Sequence, residues 1–284
     1  MSRTDAINIF SDASQEVKDK LLEIQTALID GIFANSLSAV LKNNNYSGSP
    51  DYGSVEFKRF ANSSVDPYGT ARAAGKGKAL KNTGKVTLNV DQPIEIVEEV
   101  NEFDINQYGP EGITEKRSKN HVSMLAVTLD KAFFSLIEGI ATVVDVSAET
   151  LIEEKVELVI QAAINTQNQW VEGIDKSLLA LTLNSRTYGK LRNHLDKITN
   201  PNVNSAAREM GYFHGVAVYE NIRQTEDILC FSKEAVGQPV VLNQYKMEKI
   251  PLSDDYAIEL FGKYGTKAIT PDLCYKATIS ASSN

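Results

Sequence analysis

The segment closest in composition to a site for chemistry is Gly69-Thr-Ala-Arg-Ala-Ala-Gly75-Lys76-Gly77-Lys78, which is rich in glycine and cations. A Walker phosphate loop places four residues between its two glycines and a Ser or Thr after its lysine, because the backbone amides, the ammonium and the hydroxyl hold different parts of a nucleotide. Here five residues separate the glycines, and Gly77 follows Lys76. The spacing therefore argues against nucleotide binding and favours a flexible, cationic loop.

The other residue types that commonly do chemistry are scattered along the chain. His121, His194 and His214 lie far apart, and none has a second His or Cys at the spacing of a metal ligand. No serine lies in a Gly-x-Ser-x-Gly elbow, and Cys230 lies in an apolar run that predicts a buried, inert thiol. We therefore predict no catalytic residues, no metal site and no cofactor, and expect that the protein is not an enzyme.

Charge is distributed unevenly between two neighbouring segments. The loop from Ala61 to Gly84 carries one carboxylate, Asp66, and four cations, which are Arg72, Lys76, Lys78 and Lys81. The segment just after the loop carries five carboxylates, which are Glu95, Glu98, Glu99, Glu102 and Asp104. In a monomer the two segments would be ordinary solvated surfaces. In a protein that assembles with itself, the same pattern would steer the loop of one subunit onto its neighbour.

Two alternating segments flank the cationic loop and predict a long β-hairpin. Ser54–Phe60 and Lys85–Val90 alternate as strands do, and the connection between them is far longer than a tight turn. An isolated two-stranded ribbon is marginal in water and exposes edges that invite pairing. The sequence offers this arm no obvious shelter within its own chain, so we expect it to lie on another molecule.

The remaining elements mix long helices early in the chain with short strands late, without the regular alternation of a doubly wound sheet, and so predict an α+β fold. Predicted helices cover 14–42, 114–138 and 148–168, with a turn-rich break at 106–112; predicted strands include a carboxylate-rich one at 94–100, a buried one at 177–183, and others at 216–220, 228–232, 240–243, 256–264 and 273–279. Leu125, Leu129 and Phe133 of the second helix should face a sheet.

Composition bounds the class of protein. The net charge of −8 argues against a protein that coats nucleic acid with a general positive field, although local basic patches remain possible. No apolar run approaches the roughly 18 residues that span a bilayer, and the first residues lack the layout of a signal peptide. Two cysteines without a pairing pattern are typical of a reducing compartment. We expect a soluble protein made inside the cell.

The order of these elements resembles that of the major capsid proteins of tailed bacteriophages, the Hong-Kong-97-type shell fold that encapsulin compartments share. The most specific part is Tyr68–Gly75, followed by Val86–Gln92 and Glu95–Asp104, which is similar to the extended loop, its return strand and the lead into the spine helix. Leu179–Tyr188 resembles the strand and helix of the axial domain, and Gly211–Tyr219 resembles the hairpin after it.

The resemblance implies four structural parts. They are an N-terminal arm with a helix at about 1–45, an extended β-hairpin loop at about 46–92, a peripheral domain built from about 93–148 and 240–284, and an axial domain at about 149–239. In this fold the extended loop crosses onto a neighbour, so the cations of the loop are expected close to Glu95, Glu98, Glu99 or Glu102 of an adjacent subunit.

The resemblance also implies a function and partners. The subunits would form pentamers and hexamers of an icosahedral shell around double-stranded phage DNA, assembled in the cytoplasm of a bacterial host and found in the virion. Scaffolding, portal and decoration proteins would be separate partners. Contact with DNA would be non-specific, through local cations facing the lumen, with Lys18, Lys20 and Lys42 as candidates; ordinary solvated helix charges are the alternative.

Two other classes stay open at this stage. An encapsulin-like compartment would share the fold but enclose a cargo enzyme instead of DNA. A non-assembling enzyme would sediment as a small oligomer and would not form particles.

Overall fold

The structure is a computed structural model that describes residues 31, 35–63, 65–76, 84–108, 110–197, 203–204, 209–243, 246–253 and 255–279. Its α-helices are α1 (Leu37–Leu41), α2 (Thr70–Ala73), α3 (Glu102–Tyr108), α4 (Pro110–Ile140), α5 (Ile152–Ile164) and α6 (Ser185–Lys197). The first five strands are β1 (Ser54–Arg59), β2 (Gly84–Asn89), β3 (Gln92–Val100), β4 (Thr142–Val143) and β5 (Leu179–Leu183).

Eleven further strands complete the described part of the chain. They are β6 (Val203–Asn204), β7 (Glu209–Met210), β8 (Tyr212–Phe213), β9 (Val216–Glu220), β10 (Ile228–Ser232), β11 (Val236–Gly237), β12 (Val240–Leu242), β13 (Lys246–Lys249), β14 (Tyr256–Tyr264), β15 (Lys267–Ala268) and β16 (Cys274–Ala277). The prediction of a mixed α+β fold is confirmed.

A four-stranded antiparallel sheet packs against the first half of α4. Strand β14 is its centre, with all nine residues of β3 along one side and β12 and β13 end to end along the other. Val122, Leu125 and Leu129 of α4 pack with Ile258 and Leu260 of β14. Leu129 is only 3% exposed, as the helical spacing predicted.

A six-stranded sheet in the order β4-β16-β10-β5-β9-β8 forms the second layer of the molecule. Strand β5 is buried along its whole length, as predicted for an apolar run in the middle of a sheet. One face of this sheet packs against α5 and α6, and the other packs against the end of α4. Phe133 lies with Phe231 in the core between the end of α4 and the six-stranded sheet. The prediction that Phe133 faces the same sheet as Leu129 is therefore wrong.

The base of the predicted hairpin is sheltered by its own chain. Strands β1 and β2 pair in register from Ser54 with Asn89 to Arg59 with Gly84. Val55, Phe57 and Leu88 are buried against Ile269. A Cβ atom at Gly237 would lie 2.4 Å from the Phe57 ring, so glycine is what lets the hairpin approach this closely. The expectation of an arm without shelter in its own chain is therefore wrong for these paired strands.

Two other predictions are corrected by backbone geometry. The predicted helix over 14–42 does not run unbroken, because Ser36 is extended (φ −99°, ψ 122°) and caps the separate helix α1; residues 1–30 and 32–34 lie outside the described ones. The predicted break at 106–112 is largely helical. Here α3 ends at Tyr108 and α4 begins at Pro110, a position where proline lacks only an amide that has no helical partner.

The division into peripheral and axial domains that the resemblance implies stays a prediction, and the strand pairing can be compared with it. Strands β4 and β16 come from the segments 93–148 and 240–284 and pair with each other, but β16 also pairs with β10 of segment 149–239 in the six-stranded sheet. This differs from a peripheral domain that contains the whole of both segments. Cys274 and Ala277 of β16 are buried in the cores on the two faces of that sheet, which accounts for the placement of the strand.

Candidate intersubunit contact surface

The outer face of the four-stranded sheet presents two of the predicted carboxylates. Side chains alternate across a strand, so Glu95, Val97 and Glu99 of β3 share the face that points away from α4. Both glutamates are exposed, and neither makes an ion pair with any other residue that the structure describes. They are therefore available to a cation from another molecule.

Glu98 points the opposite way and is already paired within its own chain. Arg117 of α4 donates from Nε to Glu98 Oε2 at 2.7 Å and from Nη2 to Oε1, and His121 Nε2 lies 2.8 Å from Oε2. The hydrogen bond from Arg117, assisted by His121, lowers the pKa of Glu98 to about 2 although partial burial opposes this. The two-residue period of β3 turns Glu98 toward the helix, where it already has partners in its own chain, and its contact with another subunit stays a prediction.

Glu102 lies at the start of α3, beyond the end of β3. Its backbone amide donates to Asp255 Oδ1 at 3.2 Å, which ties this end of the sheet to the turn before β14. The residue is half-buried and has at least one further partner in the chain. Glu102 is therefore a less accessible carboxylate than Glu95 or Glu99.

Two of the four predicted cations lie in the described part of the arm. Arg72 is in α2, Lys76 follows it, and both are exposed. Within the described residues the structure brings neither of them to Glu95, Glu98, Glu99 or Glu102 of the same chain. Lys78 and Lys81 lie outside the described residues.

Apolar side chains accompany the charges on both surfaces, and the clustering of charge along the sequence did not predict them. On the arm, Phe60, Val65 and Tyr68 are 57%, 98% and 102% exposed. On the outer face of the sheet, Val97 is 51% exposed and Phe261 of β14 is 39% exposed. Phe261 pairs directly with Glu95, so charged and apolar groups alternate on this face. The alternation of β3 was the available signal, since it puts Val97 between the two exposed glutamates.

The edge of this sheet is a third feature of the surface. Strand β3 pairs with β14 on one side and with no other strand among the residues that the structure describes. Its other side therefore presents backbone amides and carbonyls that another strand can pair with. Pro93 and the glutamates of β3 are the residue types that limit indiscriminate pairing at such an edge.

The candidate for DNA contact that the structure describes, Lys42, is a partly buried cation. The Lys42 ammonium donates to the Gln238 carbonyl at 3.2 Å, and burial lowers its pKa to about 8. Its position follows from α1, which packs against the end of α4. Lys18 and Lys20 lie outside the described residues.

The residues with potential for chemistry are paired or buried. His194 and His214 lie beside Glu153 and Glu157 at 3.1 and 2.6 Å. No cluster of three or more metal-ligating side chains exists in the portion of the chain that is described. No helix in that portion is long and apolar enough to cross a membrane.

Cys230 and Cys274 should be almost unreactive in the folded protein. Burial raises the pKa of both thiols to about 12, with neighbouring Cys274 and Asp272 respectively adding to the effect. A rise of the thiol pKa from 9.0 to about 12 lowers the fraction of thiolate, the reactive form, to about a thousandth of its value in an unburied cysteine. We expect modification by an aromatic disulfide reagent at pH 8 to be at least about 1,000-fold slower than in the unfolded chain.

An introduced exposed thiol, Ser147→Cys, is the matched control and should react at once. Rapid reaction of the native cysteines in the unmodified protein would contradict their burial.

Comparison with known proteins extends these observations. The sequence matches no protein-family model and no curated protein. A structure of Mycobacterium phage Che8 is 17% identical with a TM-score of 0.60, and the match covers 85% of this chain and 90% of that one. The capsid structure of the cyanophage P-SCSP1u is 14% identical with a TM-score of 0.59, covering 85% and 87%.

A virus-like particle from Pyrococcus furiosus is also similar, with 14% identity, a TM-score of 0.53, and 89% and 96% of the two chains covered. Likeness at such low identity establishes the fold. The chain has the Hong-Kong-97-type capsid fold, as the resemblance predicted.

Proposed function

We propose that this chain is the major capsid protein of a tailed bacteriophage, and that it assembles as pentamers and hexamers into an icosahedral shell around double-stranded DNA. The observation that carries the proposal is a hairpin anchored at its base whose projecting part exposes Phe60, Val65 and Tyr68 on this capsid fold. Apolar surface of this kind is costly in a monomer and is typical of a protein interface.

The partner for the arm is the outer face of the four-stranded sheet of a neighbouring copy. Val97 and Phe261 offer apolar contact there, and Glu95 and Glu99 offer charges opposite to those of Arg72 and Lys76. Lys78 and Lys81 would add to the attraction. A contact in which two copies of the chain use different surfaces is heterologous. Such contacts give a closed particle only when the rotation between neighbouring copies returns to its starting point.

Electron microscopy of the purified protein tests the proposal. We expect closed shells of uniform diameter; a small oligomer in sedimentation would overturn the proposal and favour the non-assembling class. Scaffolding, portal and decoration proteins are expected as separate chains, with the virion as the final location and the host cytoplasm as the place of assembly.

The contents of the particles decide between two shell functions. The alternative is an encapsulin-like compartment with a cargo enzyme, which is favoured by the similarity to the virus-like particle from Pyrococcus furiosus. Particles should be purified from the cells that make them naturally, treated with nuclease and opened. Protected double-stranded DNA supports the capsid; an enclosed enzyme without DNA supports the compartment.

Contact with the DNA is expected to be weak and independent of sequence. A chain with a net charge of −8 repels a polyanion overall, so only local cations that face the lumen can contribute. Free subunits should therefore bind short duplex DNA poorly at physiological salt. Tight binding in a filter or polarisation assay would contradict this expectation.

Charge reversal tests the electrostatic part of the arm contact. Each exposed ion pair contributes only about 0–1 kcal/mol, but every subunit repeats it. We expect Glu95→Lys/Glu99→Lys to raise the subunit concentration needed for assembly, with a smaller difference from the unmodified protein at high salt because ions screen the charges.

Glu154→Lys is the matched control, because Glu154 is an exposed glutamate of α5 outside the proposed surface. Light scattering across a salt series measures assembly. If the double variant assembles like the control at every salt concentration, the electrostatic contact is excluded and the apolar and backbone contacts must hold the arm.

A further inference from the structure

The hairpin has a distinct joint where its paired strands end. Arg59 and Gly84 are the last cross-strand pair of β1 and β2. On one side of this pair lies the buried base of the hairpin, and on the other lies the exposed arm that begins with Phe60. We call this pair, together with Asp272 and Trp170, which contact it, and Asn62 and Asn168, which bond beside it, the wrist.

A bidentate ion pair fixes the first strand at the wrist. Arg59 Nη1 donates to Asp272 Oδ1 at 2.7 Å, and Arg59 Nη2 donates to Asp272 Oδ2 at 2.6 Å. Asn168 Nδ2 also donates to Asp272 Oδ2 at 2.5 Å. The Arg59 side chain is only 14% exposed, so solvent screens this pair less than a pair on the open surface. A planar guanidinium held at two points also fixes orientation, which a single ammonium cannot do.

Trp170 supports both strands at the same point. The Arg59 guanidinium carbon lies 5.0 Å from the centre of the Trp170 ring, within the range of a cation–π contact. A Cβ atom at Gly84 would lie 3.2 Å from the far edge of that ring, so β2 rests against it closely. The Asn62 amide also donates to the Gln169 carbonyl at 3.1 Å.

Asp272 connects the wrist to the six-stranded sheet. It lies in the 3₁₀ turn Pro271–Leu273 that leads directly into β16 of the six-stranded sheet. Burial raises the pKa of its carboxyl, but the hydrogen bonds from Arg59 and Asn168 outweigh burial and the net shift is downward. The carboxylate is therefore charged at neutral pH, and the ion pair is intact under ordinary conditions.

We infer that Arg59 is a positioning residue that sets the direction in which the arm leaves the subunit, and that the uniform size of the shell depends on it. The paired strands end at the wrist, so the contacts there set the direction of the backbone at Phe60, where the arm begins. In the proposed shell every subunit reaches its neighbour through this arm. A spread of arm directions in the subunits would become a spread of angles between neighbours and of particle diameters.

Two measurements test the inference, and only the second rests on the proposed function. The first is the distribution of distances between spin labels at Arg72→Cys and Ser147→Cys in the free subunit, since the native thiols are buried. We expect Arg59→Ala to broaden this distribution at least about twofold and to shift the emission of Trp170, the only tryptophan. The second is the diameter of assembled particles by electron microscopy, which should become heterogeneous.

Lys58→Ala is the matched control, because Lys58 is an exposed cation on the same strand, and it should leave the distance distribution, the Trp170 emission and the particle diameter unchanged. Arg59→Lys keeps the charge but loses the bidentate geometry, so its distance distribution should be intermediate. A merely stabilising role for Arg59 would lower the melting temperature without widening the distribution, and that result would overturn the inference. So would particles of uniform diameter from Arg59→Ala.

If the unmodified protein forms no particles, the proposed function fails, and the distance distribution alone decides the role of Arg59.

Discussion

Replacing Asp130 with alanine should lower the free energy of unfolding by about 3–5 kcal/mol, the range found when one partner of a buried ion pair is removed. Asp130 lies in the middle of α4 and is fully buried. Its carboxylate accepts hydrogen bonds from Ser36 Oγ at 2.7 Å, from the Ser38 amide at 2.8 Å and from the Leu37 amide at 3.2 Å, and it pairs with Arg223 Nη1. Alanine would leave all these donors without their acceptor. Equilibrium unfolding in urea measures the change.

Two further variants separate the charge from the packing. Asp130→Asn keeps one oxygen acceptor, so we expect a smaller loss than for alanine. Adding Arg223→Met to Asp130→Ala should recover part of the loss, because no guanidinium is then left without a counter-charge. Glu95→Ala, at an exposed glutamate, is the control and should change stability by less than about 0.5 kcal/mol. An Asp130→Ala protein as stable as this control would contradict the role of the carboxylate.

Periodicity alone predicted the elements whose faces are buried in regular patterns. The paired strands β1 and β2, the edge strand β3, the buried strand β5 and the stripe of Leu125 and Leu129 all follow from spacings of two or of three to four residues. These spacings are set by local backbone geometry, which every residue of a strand or helix shares. The order of the elements then carried the resemblance to the capsid fold, which the structure bears out.

Features that depend on a contact between distant segments were not predictable in this way. Ser36 ends a helical pattern because Asp130, 94 residues away in sequence, binds its hydroxyl. Phe133 continues the helical stripe of Leu129, but α4 is long enough to pass from one sheet to the other, so the two side chains enter different cores. Nothing in the sequence around Arg59 indicates its ion pair with Asp272, because the two residues are distant in the chain and meet only in the fold.

The sequence identified the glutamates of the candidate contact surface but did not show which of them face outward. Clustering of charge along the sequence identified Glu95, Glu98 and Glu99, but a count of charges ignores the direction of each side chain. Glu98 faces Arg117 and His121, whereas Glu95 and Glu99 face outward with Val97. Applying the two-residue period of the strand to the charges would have separated them.

Removing the arm should abolish assembly and leave the subunit folded. Because Arg59 and Gly84 are direct partners across β1 and β2, an Asn-Gly pair in place of residues 60–83 can join the strands as a tight hairpin turn. The buried base with Val55, Phe57 and Leu88 is unchanged, so the melting temperature should stay near that of the unmodified subunit. Electron microscopy and sedimentation should detect no shells, since the exposed apolar and cationic groups of the arm are gone.

The control for this deletion keeps the arm and removes only its charge, with Arg72 and Lys76 both changed to glutamine. That variant retains Phe60, Val65 and Tyr68, so it should still form shells, at a higher subunit concentration than the unmodified protein. A difference between the two variants would assign most of the contact energy to the apolar side chains and the backbone, because exposed ion pairs contribute little each. Normal particles from the deletion variant would show that neighbouring subunits hold one another without the arm.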